Sequence, residues 1–451
     1  MKHIHFIAIG GAAMHNLALA VASKPGYKVT GSDDEIFDPA RSRLAAKGLL
    51  PEQMGWHEER ITPDIDAIIL GMHAREDNPE LIKARQLGLK IYSFPEYLYE
   101  QTKHKTRIVV GGSHGKTTTT AMILHVMRQL GLKADYMVGA QIDGFENMVS
   151  LSPDSEYAVF EGDEYLTSAL DRRSKFHLYK PNIAILTGIE WDHINVFPTF
   201  EQYVNTFQTF VNLIERDGAF IYFEGDDNLR TIASKARQDI RLLPYNTLDH
   251  TIRDGITYIG DTPLLIFGNH NLQNMNAARL ALRQIGVSDE QFVRAISSFH
   301  GASNRLELVG KSDKAIAYKD FAHAPSKLRA TISAVKEQYP EHRIIACMEL
   351  HTFSSLDSRF LPQYKDTMAK ADIAFVYFNP KVIEHKKLPA LSKEEVKKAF
   401  GTKNVEVFTD SVELQQALLS LSYDNAVILM MSSGTFDGID IPAFEKQLIN
   451  Q

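Results

Sequence analysis

The sequence predicts an α/β protein of three domains, in which helices cover mostly parallel sheets. Three observations support this class. Short apolar runs alternate with helical patterns along nearly the whole chain, which is typical of parallel sheets. Glycine-rich turns join a predicted strand to a predicted helix at Gly10-Gly11 and again at Gly112–Gly115. The chain has 451 residues, and at roughly 150 residues per domain this length corresponds to about three domains.

Composition and charge exclude several other classes of protein. The hydrophobic fraction of 44% and the charged fraction of 23% are ordinary for a globular chain. No run of about 18 apolar residues occurs, so we expect no membrane-spanning helix and no membrane partner. The net charge of −7 argues against a nucleic-acid partner. The single cysteine, Cys347, excludes an intrachain disulfide and predicts a reducing, cytoplasmic location; we expect a monomer or a weak dimer.

The first domain is predicted over residues 1–103. Its glycine turn, Gly10–Met14, lacks the full G-x-G-x-x-G spacing, and Asp33 follows about twenty residues later. Three interpretations are compatible with this turn: an NAD-binding site, a site for the diphosphate of another nucleotide, or a tight turn without a ligand. A polar linker is predicted at Gln101–Lys105. The predicted strands and helices are Ile4–Ile9, Met14–Ser23, Tyr27–Thr30, Ala67–Leu70 and Pro79–Leu87.

The central domain, predicted over residues 104–300, contains the strongest local motif. Gly112–Thr117 (GSHGKT) lies between a predicted strand at Ile108–Val110 and a predicted helix at Lys116–Leu130. Glycines let backbone N–H groups converge on a phosphate, and the helix N-terminus adds its dipole. A lysine at this spacing reaches the β- and γ-phosphates, and the following threonine offers a hydroxyl to Mg²⁺. Val110 stands where the eight-residue pattern has glycine, so the motif predicts a shortened P-loop.

Acidic residues and a histidine follow two other predicted strands of the central domain. Glu161 comes directly after Tyr157–Phe160, and Asp192-His193 follows Ile183–Leu186. Ligands of an open α/β sheet bind beyond the carboxyl ends of its strands. The order of these segments therefore predicts Glu161 and His193 as metal ligands beside the P-loop. The alternatives are a solvated acidic loop and a structural histidine.

Amide side chains open a later helix of the central domain, predicted at Leu272–Gln284, which is followed by another at Glu290–Ser298. His270-Asn271 and Asn274 could contact an adenine edge, because amides both donate and accept. Ordinary capping of the helix is the alternative. The third domain is predicted over residues 301–451. Its predicted strands are Ala315–Tyr318, Arg343–Met348, Ile373–Tyr377 and Ala426–Met430.

Taken together and in order, these motifs resemble the Mur ligase family, the ATP-dependent amide-forming ligases of peptidoglycan synthesis. The resemblance extends over essentially the whole chain. It rests on Gly10-Gly11 with Met14, Ser113–Thr118, Glu161, Asp192-His193, His270-Asn271 with Asn274, Phe299, Gly301 and Arg305, and Asp320 with His323 and Pro325. It implies a Rossmann-like UDP-binding domain, a central P-loop ATPase domain and a Rossmann-like C-terminal domain.

The resemblance also implies a reaction and its cofactors, ATP and Mg²⁺. ATP phosphorylates a carboxylate, an amine attacks the acyl phosphate, and phosphate leaves. The implied catalytic residues are Lys116, Glu161, His193, His323 and Arg305, and the implied metal ligands are Thr117, Glu161 and His193. The implied ATP contacts are Gly112, Ser113, His114, Gly115, Lys116, Thr117, Thr118, His270, Asn271, Asn274, Arg305 and Asp320. The implied UDP-sugar contacts are Gly10, Gly11, Ala12, Ala13, Met14, Ser32 and Asp33.

Three further stretches, Asp171–Phe176, Asn195–Pro198 and Met431–Phe436, resemble those members of the family that use a peptide as the amine. They predict ligation of UDP-N-acetylmuramate to L-Ala-γ-D-Glu-meso-diaminopimelate in peptidoglycan recycling; the alternative amine is free L-alanine. The implied peptide contacts are Arg172, Arg173, Lys175, His351 and Ser433, with Ser432 and Thr435 beside them.

Several alternatives stay open at this stage. The basic run Arg172–Lys175 could be a solvated loop, and the base that deprotonates the amine could be His351, His323 or water. Leu350-His351 stands where recycling ligases typically have Pro-Arg. Two other classes fit single motifs only: a nicotinamide oxidoreductase built on Gly10–Met14, and a P-loop switch or transport ATPase.

Overall fold

The computed structural model describes residues 1–140, 142, 144–145, 147–168, 170–191, 196–301, 306–401 and 404–450. Its contacts divide the chain into two compact units. The first unit contains Met1–Leu248 and Gln273–Ile296, and the second contains Asp249–Leu272 and Ser297–Gln451. Within the described part of the chain, no helix has the length and apolar character needed to cross a membrane. The predicted boundaries between three domains stay a prediction.

The first unit begins with a four-stranded parallel sheet of strand order β2-β1-β3-β4. The two central strands, β1 and β3, are almost entirely buried, whereas the outer strands β2 and β4 are partly exposed. Its elements are β1 Lys2–Ile7, α1 Ala12–Ala22, β2 Tyr27–Ser32, α2 Ala40–Ala45, a 3₁₀ helix Glu58–Arg60, β3 Ala67–Leu70, α3 Pro79–Gln86, β4 Lys90–Ser93 and α4 Phe94–Thr102.

Two predictions about this sheet are wrong in detail. Strand β1 ends at Ile7 rather than Ile9, because the backbone turns at Ala8, whose φ is 66°. The expected linker at Gln101–Lys105 begins inside helix α4, which ends at Thr102. A capping box between Ser93 and Glu96 starts that helix, and its apolar side chains are buried, so packing continues it into a polar stretch.

The second sheet of the first unit carries the P-loop. It has seven strands in the order β11-β10-β9-β5-β8-β6-β7, and all are parallel except β7. Its elements are β5 Thr106–Gly111, α5 Lys116–Gln129, β6 Ala134–Met137, β7 Val149–Ser150, β8 Tyr157–Glu161, a 3₁₀ helix Lys175–Tyr179, β9 Ile183–Leu186, α6 Phe200–Asn212, β10 Ala219–Phe223, α7 Asp227–Ser234 and β11 Arg241–Tyr245. Two later helices follow in sequence, α8 Asn269–Arg283 and α9 Asp289–Ile296.

The second unit contains a small antiparallel sheet and a six-stranded sheet. The small sheet is formed by β12 Thr251–Arg253, β13 Ile256–Ile259 and β14 Thr262–Pro263. The larger sheet and its helices are β15 Glu307–Lys311, β16 Ala315–Asp320, α10 Pro325–Gln338, β17 Arg343–Leu350, 3₁₀ helices Ser354–Leu356 and Leu361–Tyr364, β18 Ile373–Phe378, α11 Pro380–His385, α12 Lys393–Phe400, β19 Val405–Phe408, α13 Ser411–Leu419, β20 Ala426–Met431 and α14 Ile441–Ile449.

The strand order of the larger sheet is β15-β16-β20-β17-β18-β19, and only β15 runs antiparallel. Strand β20 therefore lies between β16 and β17, although it follows both in sequence. Met431 is paired with Asp320 on one side and with Met348 on the other. This register places the segments after these three strands side by side at the carboxyl edge of the sheet.

Candidate functional site

The P-loop lies between β5 and α5, as the strand–loop–helix pattern predicts. Gly115 caps the helix with φ of +78°, and a Cβ there would collide with the side-chain oxygen of Asn274. Only glycine fits that left-handed backbone in so little space. The Ser113 N–H donates to the carbonyl oxygen of Gly188 at 2.9 Å, so the loop is also fixed to the segment after β9.

Lys116 is held among carboxylates. Its Nζ donates to Glu164 Oε2 at 2.8 Å, and the hydroxyl of Tyr203 donates to the other oxygen of Glu164 at 3.1 Å. Burial alone lowers the pKa of Lys116, but the charges of Glu164, Asp163 and Glu161 outweigh that effect and raise it. The lysine is therefore charged and fixed in direction. Glu164 is a functional candidate that the sequence indicated only as part of an acidic run.

Thr117 and Glu161 form the oxygen-rich pair that the sequence predicts. The Thr117 hydroxyl donates to Glu161 Oε1 at 3.0 Å, and the Gly139 N–H donates to Oε2 at 2.8 Å. Hydroxyl and carboxylate oxygens are the ligands that Mg²⁺ prefers, so these two residues fit that ion. The third predicted ligand, His193, lies outside the described residues. Within the described ranges, no group of three or more His, Cys, Asp and Glu has a metal-binding arrangement.

The glycine turn of the first sheet is supported by Asp33. The Gly10 N–H donates to Asp33 Oδ2 at 2.7 Å, and burial raises the pKa of this carboxyl to about 6. Helix α1 begins at Ala12 and has no side-chain cap, so its first N–H groups point toward the turn without intrahelical acceptors. The predicted contact Ser32 is fully buried, and its hydroxyl donates to Glu80. The Ser32 hydroxyl is therefore occupied within the protein.

The remaining predicted ATP contacts are divided between the two units. Asn274 lies in the first unit, against Gly115, and the buried Thr118 lies on α5. His114 is also in the first unit, with Nε2 at 2.6 Å from Glu190 Oε2. His270 and Asn271 belong to the second unit, where Asn271 Nδ2 donates to the Phe267 carbonyl at 2.9 Å. This bond is not the capping alternative, because a capping side chain accepts from a backbone N–H, whereas the Asn271 amide donates to a carbonyl oxygen.

Asp320 and His323 follow β16 in the second unit. Asp320 Oδ1 accepts the Ala322 N–H at 2.6 Å, and Oδ2 accepts the Leu306 N–H at 2.5 Å. His323 Nδ1 lies 2.9 Å from the carbonyl oxygen of Phe321. The carboxylate thus fixes the loop that carries the histidine. Arg305, predicted to act with them, lies outside the described residues.

The basic run of the central sheet is largely neutralised within the first unit. Lys175 Nζ is 2.6 Å from Asp163 Oδ2, and the Arg173 guanidinium contacts both Asp171 and Glu96. These ion pairs favour a structural role for Lys175 and Arg173. Arg172 is exposed and stays a candidate for a substrate carboxylate.

The predicted peptide contacts of the second unit lie together after β17 and β20. His351 Nδ1 is 3.4 Å from Glu349 Oε1. The hydroxyl of Ser433 is buried and has no hydrogen-bond partner within the described residues. Thr435 is exposed beside them. Glu349 was not predicted, because its proximity to residues 432–436 depends on which strands are neighbours in the sheet.

Known proteins and protein families match this chain along most of its length. Three family models match: the Mur ligase family catalytic domain at residues 3–106, the Mur ligase middle domain at 110–282, and the Mur ligase glutamate ligase domain at 304–434. The chain is 31% identical over 396 residues to the UDP-N-acetylmuramate–L-alanine ligase of Clostridium tetani, covering 83% of this chain and 84% of that protein.

Two further matches cover nearly the whole chain. The UDP-N-acetylmuramate–L-alanyl-γ-D-glutamyl-meso-2,6-diaminoheptandioate ligase of Escherichia coli is 29% identical over 451 residues, which is 97% of this chain and 96% of that protein. The crystal structure of a murein peptide ligase from Psychrobacter arcticus superposes with a TM-score of 0.60 at 25% identity, covering 100% of this chain and 99% of that one.

A P-loop lysine held among carboxylates on a mostly parallel sheet is typical of an enzyme that uses a nucleoside triphosphate. The comparisons narrow that class, because the chain belongs to the Mur ligase family. Its three-domain α/β fold with mostly parallel sheets is the fold of that family, and the predicted family is confirmed. The protein is accordingly an ATP-dependent ligase that forms an amide bond.

Proposed function

We propose that this ligase joins UDP-N-acetylmuramate to the tripeptide L-Ala-γ-D-Glu-meso-diaminopimelate, in peptidoglycan recycling. The proposal rests on the stretches Asp171–Phe176, Asn195–Pro198 and Met431–Phe436, which resemble the peptide-using members of the family. A ligase of Escherichia coli named for that tripeptide matches nearly all of both chains, and so does an L-alanine ligase of Lactiplantibacillus plantarum. The second candidate is ligation of free L-alanine. It is favoured by the higher identity, 31%, to the Clostridium tetani ligase.

The P-loop residues account for the activation of the carboxylate. Two anions, the substrate carboxylate and the γ-phosphoryl group, must approach each other, so their repulsion is the main electrostatic barrier. Lys116 supplies positive charge at a position fixed by Glu164 and Tyr203, and the N-terminus of α5 adds backbone donors. Mg²⁺ held by Thr117 and Glu161 would supply further charge between the phosphates.

We assign each part of the substrates to a different segment of the chain. We propose that the N-terminus of α1, with Gly10–Met14, binds the UDP diphosphate, and that Asp33 keeps this turn in shape through Gly10. His270, Asn271 and Asn274 are proposed for the adenine end of ATP. Arg305, Asp320 and His323 are proposed for its ribose and phosphate end, and His193 for the metal. The peptide is proposed to meet the edge that carries His351 and Ser433.

The choice of amine is tested by measuring ADP release with UDP-N-acetylmuramate and either the tripeptide or L-alanine. We expect the tripeptide to be preferred by roughly 10²-fold in kcat/KM, because a site built for its carboxylates leaves polar groups unpaired with alanine. A preference for L-alanine would show that the amine substrate is the second candidate and not the tripeptide. Failure of both amines to release ADP would overturn both assignments.

A further inference from the structure

A buried carboxylate and a histidine are in contact at the carboxyl edge of the six-stranded sheet. The side chain of Glu349 is only 3% exposed, and it bridges β17 to the turn that follows β20. Its Oε2 accepts the Phe436 N–H at 2.9 Å and the Ser432 hydroxyl. Its Oε1 faces His351 Nδ1 at 3.4 Å. One oxygen of the carboxylate therefore contacts the turn, and the other contacts the histidine.

The turn is shaped around this pair. A Cβ at Gly434 would lie 2.8 Å from both Glu349 Oε2 and His351 Nδ1, so glycine lets the backbone approach both side chains. The Gly434 N–H donates to the Ser432 hydroxyl oxygen at 2.6 Å. Carboxylate, histidine and turn are thus in contact with one another.

The 3.4 Å contact favours one tautomer of the imidazole. A carboxylate beside Nδ1 favours the tautomer with the proton on that nitrogen, which leaves the Nε2 lone pair free to accept a proton. The His351 side chain is 38% exposed, so a substrate can reach it.

We propose that His351 accepts the proton of the incoming amine and that Glu349 is the positioning residue that orients it. The inference rests on the proposed function, because it needs an amine substrate that arrives as an ammonium ion. Both candidate histidines have a polar partner at Nδ1, the Phe321 carbonyl for His323 and a buried carboxylate for His351. Only the carboxylate carries a negative charge that can stabilise the imidazolium formed when the base accepts a proton.

The proton balance is complete with this assignment. The ammonium group transfers one proton to Nε2 of His351, and the resulting amine attacks the acyl carbon with its lone pair. The bond between that carbon and the phosphate oxygen breaks, and the phosphate leaves with the bonding electrons. A second proton from the attacking nitrogen leaves with the phosphate. His351 then releases its proton to water.

The test compares two nucleophiles on the same acyl phosphate. Hydroxylamine is largely uncharged near neutral pH, so it captures the acyl phosphate without a base, whereas the peptide ammonium needs one. We expect His351→Gln to lower kcat for peptide ligation by roughly 10²-fold or more, with hydroxamate formation unchanged within about threefold. Glu349→Gln keeps acceptors for the turn but removes the charge, and we expect it to lower kcat about tenfold with KM for ATP unchanged.

A control variant separates the role of His351 from a general effect of replacing a histidine. His385→Gln alters an exposed histidine of α11 and should change neither rate. Parallel loss of ligation and hydroxamate formation in His351→Gln, or unchanged ligation, would overturn the inference while leaving the proposed ligase intact. No hydroxamate from the unmodified protein with UDP-N-acetylmuramate would overturn the proposed function and the inference with it.

Discussion

Lys116 and Glu164 show how a buried carboxylate can hold the lysine of a P-loop. Glu164 is 1% exposed and holds Lys116 Nζ at 2.8 Å. Burial by itself lowers the pKa of Lys116, and the neighbouring carboxylates raise it. Removal of Glu164 should therefore lower the pKa of Lys116. The lysine would then lose its proton at a lower pH than in the unmodified protein.

We therefore expect Glu164→Gln to move the alkaline limb of the kcat/KM profile for ATP to lower pH and to reduce kcat about tenfold. The pH profile of ADP release measures both effects. Lys116→Ala is the reference, and it should lose roughly 10²-fold or more in kcat because the developing charge loses its partner. An alkaline limb that stays in place in Glu164→Gln would show that Glu164 does not hold the charge of Lys116.

The site residues that the sequence predicted are those fixed by local spacing. Lys116 and Thr117 follow from the P-loop motif, and Glu161 follows from its position directly after β8. Glu349 was missed because its partner Ser432 is 83 residues away in sequence. The two meet only because β17 and β20 are neighbours in the sheet, and one sequence does not reveal strand order. The roles of these residues stay predictions until they are measured.

At the scale of single elements, helix α14 carries an acid in its buried face. Glu445 is fully buried, and burial raises its pKa to about 9, partly opposed by the Met430 backbone N–H and by Lys319. The folded protein therefore keeps a proton that the unfolded chain releases above a pKa of about 4.5. Because of this difference, the free energy of unfolding falls as pH rises from about 5 to about 9.

We expect Glu445→Gln to gain stability relative to the unmodified protein as pH rises from about 6 to about 8, by at most about 3 kcal/mol. The advantage grows with pH because glutamine has no proton to lose. Urea unfolding of both proteins at the two pH values measures it. A difference in unfolding free energy that is the same at both values would mean that Glu445 is not protonated in the folded state.

Elements were predicted well where burial and local signals agree. Strands β3 and β9 have the predicted bounds because their apolar runs are buried on both sides. Helix α4 was missed although Phe94, Tyr97, Leu98 and Tyr99 lie in it, because the polar residues at its end suggested a linker. The capping box at Ser93 and Glu96 was the signal that could have located it.

At the scale of the whole molecule, the two units have separate hydrophobic cores. Both tryptophans, Trp56 and Trp191, belong to the first unit. Tryptophan fluorescence therefore reports the unfolding of that unit, whereas far-ultraviolet circular dichroism reports both. Separate cores are a reason to expect departures from two-state unfolding.

We expect thermal unfolding followed by fluorescence and by circular dichroism to give different midpoints. ADP with Mg²⁺ should raise the fluorescence midpoint, because a ligand at 100 times its Kd stabilises the state that binds it by about 2.7 kcal/mol. Coincident curves from the two probes, with and without nucleotide, would mean that the chain unfolds as one cooperative unit.

The central place of β20 has a consequence for biosynthesis. This strand must insert between β16 and β17, which emerge from the ribosome long before it. Until residues 426–431 are made, two strand edges in the nascent chain lack their partner and are open to wrong pairing. A chain that stops before Ala426 would contain the complete P-loop but not the turn around Glu349. Such a fragment would lack the arrangement that we propose for deprotonation of the amine, so premature termination would leave the P-loop without it.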